Sequence, residues 1–199
     1  PQPRELHVWY PAASCAADAR MTVGDYIDTE RGGGDPALAD LRDTPMRAYR
    51  DAAPLAGRHP LLVGRHSGGT WALQGEYLAS HGYLIVMVAS RGTRITATGD
   101  ERARLIAAEY ERMATEMEHA VAHVVTSAGD AARVGVLGSG IAPMLFALRS
   151  DRARAVSMQD SPLFSGGPTA DVLRHAPSWQ PARMRAPLLY TPSTAHDDL

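Results

Sequence analysis

The chain lacks lysine and asparagine altogether and has one cysteine among its 199 residues, so all 20 of its basic residues are arginine. Such a bias, alongside abundant Ala and Gly, is the mark of a GC-rich coding sequence rather than of a function. It still removes chemistry: without lysine there is no Walker-type phosphate loop, no Schiff base and no kinase-type phosphate lysine. Cys15 cannot form an internal disulfide and leaves the redox compartment open. Its small, polar setting, PAASCAADAR, marks no thiolate, so it reads as free and inert. Excess charge is also missing. A formal net charge of −2 and a pI near 6.5 give no footprint for nucleic acid or an anionic membrane. No apolar run approaches the roughly 20 residues that cross a bilayer. The chain begins at Pro1 with neither an initiator Met nor a signal-like segment, as a processed or trimmed product would. Localisation and oligomeric state are not indicated.

What is present is a core-forming chain. With 45% hydrophobic and 21% charged residues, its length favours one domain over two, covering 1–199. LHVWYP (6–11) is aromatic and β-branched enough for a strand. The stretch from about 12 to 58 reads as irregular, with short helices and its most flexible-looking part at ERGGGDP. Regular alternation follows. PLLVG (60–64) and YLIVMVAS (83–90) read as buried strands around a helix, 70–82, with Thr70 as N-cap and Gly82 as its stop. A long helix over about 101–127 precedes RVGVLG, a helix IAPMLFALRSD, and the strands ARAVSMQD (153–160) and APLLYTP (186–192). Strands that are apolar throughout and alternate with helices predict an α/β three-layer sandwich with a mostly parallel sheet. Ligands of such sheets sit at the carboxyl ends of the strands. Those ends are RHSGGT, SRGT, GSGIAP, QDSPLF and PSTAHDDL.

Several constellations there and on the long helix can be weighed. His119 and His123 are spaced i, i+4 with Glu116 a turn earlier, a spacing that suits metal ligands. However, Ile106, Tyr110, Met113, Met117, Val121 and Val124 form an apolar stripe, and the three polar residues point away from it, so they read as a solvated face and no metal is expected. In RHSGGTW, Arg65 stands where a strained nucleophile elbow needs a small residue, which argues against Ser67 as nucleophile. The glycines leave two readings: backbone N–H groups for an oxyanion hole, or a tight turn with no catalytic part. Asp160, after an apolar strand, can orient a catalytic histidine or hold the Ser161 turn. Asp197 and Asp198 are rival acids near the chain end. GVLGSGIAP carries a serine, Ser139, in a strand–glycine–helix turn of the kind that presents nucleophiles.

Taken in order, LHVWYPA, GRHPLLVGRHSGG, YLASHGYLIVMVASRGT, RVGVLGSGIAPMLFAL, RARAVSMQDSPLFSGG and MRAPLLYT resemble the α/β-hydrolase superfamily. The likeness is nearest to its dienelactone-hydrolase-like and platelet-activating-factor-acetylhydrolase-like esterases, and it covers nearly the whole chain. It implies a serine-type carboxylic ester hydrolase of the esterase or lactonase kind, a small ester-like ligand and no cofactor. Laid on the family's Ser-His-Gly-x-Gly loop, the oxyanion donor is the N–H of Gly68. Laid on its Gly-His-Ser-x-Gly-Gly elbow, Gly138 is the first glycine and Ser139 falls on the histidine. Gly140 then falls on the nucleophile, Ile141 supplies the second oxyanion N–H, and Ala142 and Pro143 replace the closing glycines. Asp160 falls on the acid. The family's histidine follows one further strand, past the end of this sequence, leaving His196 and His66 as stand-ins. The resemblance thus implies an impaired or atypical Ser-His-Asp triad, or a non-catalytic binding or interaction protein on a hydrolase frame shortened at its C-terminal end. Ser139 serves as nucleophile only if the turn shifts by one residue, which puts Leu137 and Ile141 where small residues are needed.

Overall fold

A computed structural model describes residues 5–14, 19–28, 36–66, 71–89, 95–159 and 168–191. The N-terminal part is built of short pieces. β1 (Leu6–Trp9) is followed by β2 (Ala12–Ser14), β3 (Arg20–Thr22), α1 (Val23–Asp28), a 3-10 turn (Pro36–Leu41), β4 (Pro45–Tyr49) and β5 (Ala53–Pro54). The stretch expected to be irregular therefore forms two small antiparallel pairs, β2 with β5 and β3 with β4. The regular alternation then appears as β6 (His59–His66), α2 (Ala72–Ser80), β7 (Leu84–Ala89), α3 (Gly99–Val125), β8 (Gly129–Gly138), α4 (Ala142–Arg149), β9 (Ala153–Gln159), α5 (Pro168–Arg174) and β10 (Leu188–Thr191).

Among the described residues, six strands make the main sheet in the order β1-β7-β6-β8-β9-β10. Its pairs are parallel except β1, which runs antiparallel along β7 with Leu6 opposite Val88. Val63 on β6 lies level with Val86 on β7 and Val136 on β8. This is the mostly parallel, helix-covered α/β architecture that the alternation predicts. Right-handed crossovers fix the faces. The path β7–α3–β8–α4–β9–α5–β10 moves steadily one way across the sheet, which puts its three helices on one face. There α3 packs against both α4 and α5. The step β6–α2–β7 runs the other way and leaves α2 on the opposite face, against β7 and β1.

The α3 face holds the larger core, with Leu61, Val63, Val86, Val88, Val134 and Val136 under Met117, Val121, Leu145 and Phe146. α3 buries Met113, Met117, Val121 and Val124 as the helical period requires, and Ile106 and Tyr110 pack against the same core. The opposite face is smaller, with Ile85 and Met87 beneath Trp9, Tyr26, Met46, Ala72 and Ala79. α2 ends as expected at Gly82, whose φ of +90° lets its N–H donate back to the Ala79 carbonyl. Thr70, the expected N-cap, lies outside the described residues; Trp71 precedes the helix without a side-chain cap.

A hydrogen-bonded chain fastens the N-terminal pieces to this second face. The Trp9 indole N–H donates to the Tyr26 hydroxyl at 3.1 Å, and that hydroxyl donates to Glu76 Oε1 at 2.7 Å. The Arg47 backbone N–H donates to Glu76 Oε2, also at 2.7 Å. α1 and β4 are thereby tied to α2. Within α1, Thr22 and Asp25 cap each other reciprocally, the Thr22 N–H reaching Asp25 Oδ2 at 2.7 Å. That backbone bond, helped by Arg50, holds the Asp25 carboxyl below the usual carboxylate range. Among the described residues no helix is long and apolar enough to cross a membrane.

Candidate functional site

The carboxyl ends of β6, β8 and β9 meet at one edge of the sheet, Gly64 lying level with Leu137 and Gly138 with Met158. The two central strands approach so closely that a Cβ on Gly64 would sit 2.5 Å from the Leu137 carbonyl oxygen. Glycine there is a packing requirement. β8 then turns sharply into α4. Gly138 has φ +147° and Gly140 φ +79°, both in territory that side chains avoid. At Gly138 a Cβ would also meet Pro143 at 3.0 Å, whereas around Gly140 nothing lies within 4 Å of that position. Pro143 sits in the first turn of α4, where a missing N–H costs no helical hydrogen bond.

The predicted residues distribute as follows. Ser139 is exposed, has no left-handed backbone, and its hydroxyl makes no hydrogen bond among the described residues. Gly140, not Ser139, occupies the strained, uncrowded tip of the turn. Ile141 is buried in the core and its carbonyl accepts from the Leu145 N–H at 3.0 Å, the first closed turn of α4. Gly68, Asp160 and His196 lie outside the described residues, as do Ser67, Asp197, Asp198 and Cys15, and nothing is described of the His66 side chain. Beside the turn, Trp71, Tyr77, Leu78, Leu137 and Gln159 line a cavity of about 370 Å³.

One reading of the sequence needs correcting. Glu116 is not on a solvated face. Its Oε2 accepts from the guanidinium of Arg65 at 3.0 Å, and its Oε1 from Arg112, which also reaches Glu109. Arg65 is only 8% exposed. Burial pulls its guanidinium below its ordinary pKa, and the Glu116 bond opposes that. The signal for this network lay in the strand itself: an arginine ending the apolar run PLLVG must find a carboxylate if it stays inside. His119 and His123 do lie exposed, and the described residues include no cluster of three ligand-type side chains.

No protein-family model matches the chain, and no curated protein sequence does. Solved structures do resemble it. The apo AtxE2 isopeptidase is 18% identical with a TM-score of 0.48, matching 68% of this chain and 27% of its own. A candidate dienelactone hydrolase from Klebsiella pneumoniae is 14% identical with a TM-score of 0.37, over 70% of this chain and 76% of its own. A candidate dipeptidyl aminopeptidase IV from Bacteroides ovatus is 12% identical with a TM-score of 0.39, over 95% of this chain and 32% of its own. The chain thus spans well under half the length of the isopeptidase and of the aminopeptidase. The neighbours include hydrolases.

Proposed function

We propose that this chain is a hydrolase-fold protein of carboxylic-ester-hydrolase ancestry with an impaired Ser-His-Asp triad, which carries no acyl group on the turn after β8. The observation that supports this most is Gly140: the tip of the turn has room for a side chain and the backbone of a strained elbow, but no atom able to attack. Ser139 stands one residue early, in ordinary backbone, and moving it to the tip would displace Ile141 from the core. The resemblance assigns the acid position to Asp160, and for the base it leaves only stand-ins, of which His196 is one. Such a frame binds a small ester-like ligand without cleaving it, its carbonyl oxygen taken by the backbone N–H groups of Gly68 and Ile141.

The test is a fluorophosphonate probe with intact-mass detection, beside turnover of p-nitrophenyl butyrate. No adduct and no hydrolysis above buffer are expected. A stoichiometric adduct mapped to Ser139 by peptide mass spectrometry would overturn the proposal and make the turn an active variant.

A further inference from the structure

A second cavity among the described residues lies away from that turn. It measures about 750 Å³ and runs along β1, between the β4–β5 segment and the C-terminal half of α2. β1 is three strand positions from β8, about 14 Å at the usual strand spacing. Trp9, Tyr10, Tyr26 and Tyr49 give the cavity aromatic walls, with Trp9 and Tyr26 stacked at 6.4 Å. Glu76 also lines it and is only 6% exposed.

Glu76 is unusual in its company. Its hydrogen-bond donors, the Tyr26 hydroxyl and the Arg47 amide, are both neutral, and it has no ion-pair partner among the described residues. Burial keeps Tyr26 protonated far above the ordinary phenol range, so that donor stays uncharged. The largely buried carboxylate of α3, Glu116, has two guanidinium partners among the described residues. A buried carboxylate with only neutral donors retains acceptor capacity on both oxygens and an uncompensated charge, which is costly unless a cation joins it. The arginines that line the cavity do not supply it: Arg50 is turned to Asp25 at 2.9 Å, and Arg47 is exposed and offers Glu76 its backbone. Aromatic side chains lining the same cavity as the carboxylate suit a cation with an aromatic or apolar body.

We propose that this cavity is a binding site for a small aromatic amine, whose ammonium group pairs with Glu76 while its ring lies among Trp9, Tyr26 and Tyr49. The site is independent of the turn after β8.

Calorimetric titration of the whole chain with tyramine tests it, against N-acetyltyramine and 4-hydroxyphenylacetate. One-to-one binding of tyramine is expected, at least ten-fold tighter than either control. Glu76→Gln should weaken it ten-fold or more. Glu76 also ties β4 and α1 to α2, so Ala48→Phe, which places a ring inside the cavity and removes no side-chain hydrogen bond, gives a second arm free of that fold contact and should abolish binding. No heat of binding with millimolar tyramine would overturn the proposal. So would equal binding of the neutral amide, or tyramine binding that survives Ala48→Phe.

Discussion

The two faces of the sheet are stabilised by different physics. The α3 face is a close-packed apolar layer in which three helices cover β6, β8 and β9, and its buried ion pairs lie where Arg65 ends a strand. The α2 face carries α2 with the short α1 tied to it. It relies on close contacts at glycines and on the Trp9–Tyr26–Glu76 chain, and it leaves Leu73 71% exposed. One face is apolar volume filled by many interchangeable side chains. The other is a few specific contacts, each with a single correct residue.

That difference sets the scale of what mutation should do. Phe146 is among the largest fully buried side chains of the α3 face, and Phe146→Ala should cost about 3–5 kcal/mol in denaturant unfolding. A loss below about 1.5 kcal/mol would mean that the layer is loosely packed and the contrast false. Gly75→Ala is the corresponding probe of the α2 face. In an exposed helix interior the change would stabilise by up to about 1 kcal/mol. Here the new methyl would stand 2.6 Å from the Trp9 ring, so overpacking should win, with a net loss of about 1–3 kcal/mol. A stabilised Gly75→Ala would show that Trp9 yields easily and that α2 is not seated on it.

The same difference decides what the sequence reveals. Apolar runs and the helical period are carried by many residues at once. The strands from β6 to β10 and the stripe Met113–Met117–Val121–Val124 were therefore legible, and with them the location of the turn at Gly138–Pro143. The polar contacts were not. Glu116 lies about a quarter turn from the stripe, beside Ala120, whose burial widens the packed arc enough to take it inward. Glu76 looks like an ordinary surface residue of a short helix until β4 and α1 fold over it, across 29 and 50 residues of chain. Long-range partners of that kind leave no periodic trace. Within the candidate site, the glycine at the tip could be named from the resemblance, but its left-handed backbone is a property of the folded turn.

Leu73 gives the smallest and most discriminating prediction. It lies on the outer side of α2 beside Tyr77, both lining the cavity next to β8 and β9. Its exposure means that little apolar surface leaves water on folding, so Leu73→Gln should shift the unfolding free energy by no more than about 0.5 kcal/mol. Leu and Gln have similar helix propensity, so α2 itself should not register the exchange. The measurement is chemical denaturation at two protein concentrations ten-fold apart. A loss above about 1.5 kcal/mol that grows with concentration would show Leu73 buried in solution, and the α2 face would then have a second layer like the first.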